Sequence, residues 1–192
     1  MSAFLGPIHF WLYNKIGNQE LLTKEIATLA VENGWIEDAE NYTKALPALE
    51  TVIDEGNIHG WLQAQITDAE NRYASLVTRI LSEEDKRLED LCAVAWRFGK
   101  EHAIKAGTAE EVYKAFEDFF VNGMPCDRVN AVIESSAEKL SWEMTQDIHA
   151  QYWNGDSSPY YTIRKSVMEG MLAETNYALA SADDARYSII SN

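Results

Sequence analysis

The amino-acid sequence predicts an all-α protein, a single-domain bundle of about six to seven helices, four of them long, over residues 1–192. Three observations support this prediction. Apolar residues recur at helical spacing along most of the chain, and capping residues, prolines and glycines bound these stretches. No series of short, turn-bounded strands is evident. Only residues 187–190 are expected to form a short strand or an irregular C-terminal tail.

The first long helix is predicted to begin at Pro7, because proline suits the first turn of a helix. Its apolar stripe includes Leu12 and Ile16, and Gly34 ends it. Residues 35–56 are expected to form a connection with short helices.

The second long helix is predicted to follow Asn57, a suitable N-cap, and to bury a stripe that includes Leu62. Ser82 and Asp85 resemble a capping box and predict the start of a third long helix, which Gly107 ends.

Thr108 and Glu111 form a better capping box, which predicts a short helix after Gly107. The fourth long helix is predicted between Pro125 and Gly155 from six apolar residues at helical spacing. These residues are Val129, Ile133, Ala137, Leu140, Met144 and Ile148.

Ser158-Pro159 places an N-cap before a proline at the first helical position and predicts the last helix.

The net charge of −15 argues against nucleic acid as a partner, because phosphate binding depends on Lys and Arg. It argues equally against an anionic membrane surface. The expected partners are a small molecule or a metal ion, and a homodimer is compatible with the sequence.

Cytoplasmic localisation is expected, because the chain has no signal peptide and no apolar run of the ~20 residues that span a bilayer. Cys92 and Cys126 make no disulfide framework. Cys126 follows Pro125 at a predicted helix N-terminus, a position that favours the thiolate, and is a candidate reactive thiol.

A pattern I-H-x-W-L-x-x-x-I-x-x-x-E occurs at residues 8–20 and again at residues 58–70. It has alternative explanations: chance, two helices in similar environments, or an old duplication. Eleven helical steps bring His and Glu back to one face, about 16 Å apart, so each copy defines a His level and a Glu level.

The four histidines are candidate metal ligands, because imidazole is a common ligand of transition metals and haem. Two lie near helix starts and two near predicted helix ends, so antiparallel helix pairs would bring all four to one end of a bundle. They are His9, His59, His102 and His149. The second-level carboxylates are Glu20, Glu70 and Glu138.

Aromatic residues near these histidines predict an internal pocket that binds a metal, haem or a small apolar or aromatic ligand. They are Trp11, Tyr13, Trp61, Trp142, Tyr152 and Trp153. The usual local metal motifs, such as H-x-x-x-H and C-x-x-C, are absent from the sequence. Whether the pocket is catalytic is left open.

The alternative prediction is a non-catalytic interaction or dimerisation protein that uses apolar helix faces. In that case the histidines are structural, since buried polar groups are normally satisfied within the protein.

Overall fold

The computed structural model describes residues 5–192 and shows helices together with a sheet. The helices α1 to α5 span Pro7–Glu32, Ile58–Leu81, Arg87–Glu101, Ala109–Phe119 and Ser158–Met171. The strands β1 to β4 span Asn130–Ser135, Lys139–Met144, Tyr177–Ser181 and Arg186–Ser191. They form one antiparallel sheet in the order β1-β2-β4-β3. The predicted all-α bundle of six to seven helices is therefore wrong.

The error arises between Pro125 and Gly155, where a β-hairpin replaces the predicted long helix. The apolar spacing fits a helix, but burial in β2 alternates: Leu140 and Trp142 are buried and the residues between and beside them are more exposed. Ile133, assigned to the buried face of a helix, is 61% exposed in β1. Alternation of this kind is typical of a half-buried strand.

Pairing between β2 and β4 completes the sheet, and it joins residues far apart in sequence. Leu140 faces Ile189, and Trp142 faces Tyr187. All four side chains are buried, and α4 packs against this face of the sheet. The C-terminal segment is therefore a strand rather than an irregular tail.

Helices α1 and α2 lie side by side and run in the same direction. His9 contacts His59 near their N-termini, and farther along Glu20 binds Arg72. Residues 33–57 return along the pair in the opposite sense, and the Tyr13 hydroxyl donates a hydrogen bond to the carbonyl of Pro47 in this segment, at 3.0 Å.

Helices α3 and α5 approach each other closely at two glycines. A Cβ atom on Gly99 would lie 2.1 Å from the carbonyl oxygen of Val167. A Cβ atom on Gly170 would lie equally close, 2.1 Å, to the carbonyl oxygen of Trp96. Only glycine allows two helix backbones to pack at this separation.

Of the two predicted capping boxes, one begins a helix as predicted and the other does not. The Thr108 hydroxyl accepts a hydrogen bond from the Glu111 amide at the start of α4, as the capping box predicts. By contrast, α3 begins at Arg87, beyond the predicted Ser82–Asp85 box, and its N-cap is Lys86, whose side chain makes no capping bond.

Along residues 5–192, no helix combines the length and the apolar character needed to cross a membrane.

Candidate functional site

The most unusual polar pair in the described core joins Glu70 on α2 to His149 in the connection between β2 and α5. Each side chain is 1% exposed, and His149 Nδ1 lies 3.2 Å from Glu70 Oε2. Burying a carboxylate and an imidazole away from water costs free energy unless both are fully hydrogen-bonded. Such pairs are frequent at functional sites.

Asp147 fixes the backbone that carries His149. Its Oδ1 accepts hydrogen bonds from the backbone amide of His149 at 2.9 Å and from the Tyr161 hydroxyl at 2.8 Å. Its Oδ2 accepts one from the Ser157 hydroxyl. Partial burial opposes ionisation, but these hydrogen bonds outweigh it and lower the pKa of Asp147.

Tyr160 on α5 holds the imidazole ring from one side. The two rings are stacked, with centroids 3.8 Å apart and an interplanar angle of 24°. Burial raises the pKa of Tyr160 well above its ordinary value, so its hydroxyl stays protonated. The orientation of His149 is therefore set by Glu70, by Tyr160 and by its own backbone.

Two polar atoms of the pair have no hydrogen-bond partner among residues 5–192. They are His149 Nε2 and Glu70 Oε1, and both are buried. Because a carboxylate accepts hydrogen bonds, a neutral His149 that donates to Glu70 carries its proton on Nδ1 and its lone pair on Nε2. That is the arrangement of a general base oriented by a carboxylate.

A cavity of about 220 Å³ lies against this pair. Its lining contains two carboxylates and three amides but no Lys or Arg. The polar lining residues are Gln63, Glu70, Asp127, Gln146, His149, Gln151 and Tyr152. The cavity therefore offers mostly acceptors and neutral groups and suits a small polar ligand that donates hydrogen bonds.

A larger groove of about 840 Å³ runs between α1 and residues 43–50. Its lining is more apolar and includes the half-exposed side chain of Leu21. Its one buried carboxylate, Glu20, is already bound to Arg72. We therefore regard the smaller cavity as the better candidate for chemistry.

A second group of buried polar residues lies between α1, α4 and α5. Lys15 is 2% exposed and Arg164 is 5% exposed. Burial lowers the pKa of Lys15 to about 8; nearby Glu117 opposes this effect, and Arg164 adds to it. Arg164 donates a hydrogen bond from Nη1 to Asn122 Oδ1 at 2.8 Å.

The structure brings His9 and His59 together, with ring centroids 5.8 Å apart. His9 is buried and its Nδ1 accepts a hydrogen bond from the Gly6 amide at 2.9 Å, whereas His59 is exposed. The other two histidines have different surroundings. His102 contacts Phe98 and Phe119, and His149 contacts Glu70.

These placements give the predicted His-rich metal site no ligand set. Among the described residues, no three His, Cys, Asp or Glu side chains are grouped as a metal ion requires. The imidazole of His102 bonds to a carbonyl of its own helix, from Nδ1 to the oxygen of Phe98 at 2.8 Å.

The six aromatic candidates are divided among three places. Trp11, Tyr13 and Trp61 lie near the N-termini of α1 and α2, where Trp11 Nε1 donates to Asp118. Trp142 stacks on Tyr187 in the sheet, with centroids 5.3 Å apart.

Tyr152 and Trp153 are the two aromatic candidates near His149. Tyr152 lines the cavity, and its hydroxyl lies 3.4 Å from the Thr67 hydroxyl. Trp153 packs edge-on against Tyr160, which also stacks on His149.

The candidate carboxylates and the candidate reactive thiol also lie in different parts of the structure. Glu20 and Glu70 are buried and paired, but Glu138 is exposed in the turn of the β1–β2 hairpin. Glu138 precedes His149 by eleven residues, the His–Glu spacing of the repeat reversed, but no helix joins the two residues and they do not share a helix face. Cys126 is an exposed free thiol in a three-residue 3-10 turn, Pro125–Asp127, rather than at the start of a long helix.

Sequence reasoning missed Lys15, Tyr160 and Arg164. A signal was present, because each charged residue interrupts an apolar helix face. Lys15 lies three positions after Leu12, and Arg164 lies three positions before Val167. A cation on a buried stripe points to a polar site.

Comparisons with known protein families, with curated proteins and with solved structures found no match to this chain. Function is therefore inferred from the geometry of the Glu70–His149 cavity.

Proposed function

We propose that this protein binds a small polar molecule in the cavity beside Glu70 and His149, and that His149 exchanges a proton with it. One observation carries the proposal. The carboxylate and the imidazole are each 1% exposed, they bind each other, and each keeps one buried polar atom without a partner. A purely structural pair is normally satisfied within the protein.

The chemistry of the pair supports proton transfer. Imidazole is the side chain most often used as a general acid or base, and a buried carboxylate behind it fixes the tautomer and the ring orientation. Glu70 occupies that second position, and Tyr160 prevents rotation of the ring by stacking on it.

The lining of the cavity favours a small amine as the ligand. Glu70 and Asp127 supply carboxylates, Gln63, Gln146 and Gln151 supply amides, and no cationic side chain contributes. At about 220 Å³ the cavity is smaller than the roughly 300–1,000 Å³ of sites for drug-sized ligands.

Binding is tested by NMR titration of the ¹⁵N-labelled protein with ethanolamine, and with acetate as an anionic control. We expect saturable shifts of the Gln63, Gln146 and Gln151 side-chain amides with ethanolamine only. Glu70→Gln should weaken the binding about tenfold or more, because it removes a buried charge. Glu138→Gln changes an exposed carboxylate remote from the cavity lining and should have no effect.

Proton exchange is tested on the ring nitrogens of His149 by ¹⁵N NMR of histidine-labelled protein. We expect the Nδ1–H tautomer in the free protein and a change in ring protonation when ethanolamine binds. If ethanolamine binds without any change in the protonation of the His149 ring, the protein binds the ligand but the acid–base role is refuted. Equal ethanolamine affinities for wild type and Glu70→Gln would refute the site itself.

We also propose a reducing, cytoplasmic location, which is supported by the free thiols of Cys92 and Cys126. Cell fractionation with immunodetection tests it, and recovery in an oxidising compartment would contradict it.

A further inference from the structure

A small cavity that is partly open to solvent lies between α1, α4 and α5, apart from the Glu70–His149 cavity. Its volume is about 30 Å³. Lys15, Asn18, Gln19 and Arg164 contribute polar groups to its lining, and most of the remaining wall is aromatic. The aromatic residues are Tyr73, Phe98, Phe119, Phe120 and Tyr160.

The two cations of this cavity have no anionic partner among residues 5–192. Neither Lys15 nor Arg164 forms a salt bridge with a described carboxylate, although they are only 2% and 5% exposed. Lys15 Nζ lies 3.9 Å from the centroid of the Trp11 ring, and Arg164 stacks on Phe120 at 4.7 Å. Burial of unpaired charges at this depth is costly without a counter-ion.

Two carboxylates near these cations accept hydrogen bonds from other groups. Glu117 Oε1 accepts hydrogen bonds from the amides of Asn122 at 3.2 Å and Asn130 at 2.6 Å. Asp118 accepts from Trp11 Nε1 at 2.9 Å and binds Lys114. Glu117 and Asp118 therefore favour the charged form of Lys15 without contacting it, and neither forms an ion pair with Lys15 or Arg164.

A third donor lacks a partner. Gln19 Nε2 is buried and bonds to no described residue. The cavity thus combines two cations and an unsatisfied amide donor with five aromatic residues. The two cations and the free amide donor of Gln19 favour an anion over a cation as the ligand of this cavity.

We propose that this cavity binds one small monovalent inorganic anion, for which chloride is the probe. A cavity needs roughly 10–15 Å³ to hold a water-sized particle. The volume of about 30 Å³ therefore accommodates a monatomic anion and is too small for a phosphate or sulfate ester. The anion neutralises Lys15 and Arg164 and accepts a hydrogen bond from Gln19.

The solution test compares thermal unfolding in sodium chloride and in sodium gluconate at equal ionic strength, since gluconate is too large to enter. Bound chloride stabilises only the folded state, so we expect the midpoint to rise by about 3 °C in saturating chloride. Lys15→Met should abolish this difference. Lys139→Met removes a lysine that is 41% exposed in β2 and outside the cavity lining, and it should retain the difference.

A direct test needs no variant. Crystals soaked in sodium bromide should show one anomalous peak within hydrogen-bond distance of Lys15 Nζ and Arg164. Absence of this peak, together with equal midpoints in chloride and gluconate, would show that water alone fills the cavity and would overturn the proposal. Neither measurement depends on ligand binding at Glu70 and His149, so the two proposals fail independently.

Discussion

His9 and His59 lie at equivalent positions on two parallel helices, with ring centroids 5.8 Å apart. Their separation in sequence is 50 residues, the offset of the repeated I-H-x-W-L pattern. Farther along the same helices, Glu20 pairs with Arg72. The repeat thus marks two helices in register. Neither a metal site nor a duplication is needed to place these two histidines together.

Lys15→Met is expected to stabilise the folded protein at neutral pH by about 1–3 kcal/mol. The lowering of the Lys15 pKa from 10.5 to about 8 corresponds to about 3 kcal/mol, and losing the contact with Trp11 removes about 1 kcal/mol of that gain. Urea unfolding in chloride-free buffer measures the effect.

The stabilisation of the folded protein by Lys15→Met is expected to decrease as the pH rises above about 8. Below about pH 8 Lys15 is protonated in both the folded and unfolded states, so the full penalty is present. Between pH 8 and 10.5 only the unfolded state holds the proton, and wild-type stability rises relative to the variant. A gain that stays constant up to pH 10.5 would contradict the assignment.

Gly99→Ala and Gly170→Ala are each expected to destabilise the protein by at least about 1–3 kcal/mol. The added methyl group would lie 2.1 Å from a backbone oxygen of the facing helix, and backbone relieves such a contact only by moving the helices apart. Urea unfolding compares them with Gly107→Ala, whose nearest neighbour lies 3.6 Å away. Equal stabilities in all three variants would disprove the close α3–α5 packing.

Arg72→Met is expected to cost about 3–5 kcal/mol, because it leaves the carboxylate of Glu20, which is 6% exposed, buried without its partner. The matched control is Lys139→Met, which breaks an exposed pair with Glu134 and should cost less than about 1 kcal/mol. Chemical denaturation of both variants tests the difference. Similar losses would mean that the Glu20–Arg72 pair is as solvated as the surface pair.

Asp147→Asn is expected to lower the unfolding midpoint at pH 7 and to lose this effect in acid. The pKa of Asp147 in the folded state is below its ordinary 3.8. Its ionised form therefore contributes stability above pH 3.8, and this contribution is lost as the pH falls through the folded-state value. Thermal scans from pH 7 to pH 2 follow it. Asp85→Asn, an exposed carboxylate outside this network, should show no such change.

The predicted helices near Pro7, Asn57, Thr108 and Ser158 begin close to the observed starts of α1, α2, α4 and α5. Local signals were sufficient there, because proline, cap residues and apolar spacing act within one helix.

The predicted homodimer and the alternative role as an interaction protein stay predictions.

The hairpin illustrates why local signals failed elsewhere. The apolar residues from Val129 to Ile148 have helical spacing, but residues 139–144 form strand β2, which pairs with β4. The paired residues are far apart in sequence: the hydroxyl oxygens of Ser141 and Ser188, 47 residues apart, lie 2.9 Å from each other. Strand formation depends on such distant partners, and a window of sequence does not contain them.

The candidate site was predicted only in part. His149 and Glu70 were both singled out, yet in different roles, as a metal ligand and as a second-level carboxylate. Their pairing at 3.2 Å required the β2–α5 connection to fold against α2. Tyr160 was overlooked because the burial of a helix face is set by its neighbours, and Arg164 was overlooked although it interrupts the apolar face of α5.

The sequence by itself indicated the regions of the five observed helices, although it added a long helix over residues 125–155 that does not form, and it showed the acidic charge and the repeated pattern of residues 8–20 and 58–70. Tertiary structure alone decided the sheet, the Glu70–His149 pair and the burial of Lys15 beside Arg164. Each of these features depends on segments that are distant in the chain and meet only in the folded core. Because the core excludes water, polar groups buried there need hydrogen-bond partners within the protein.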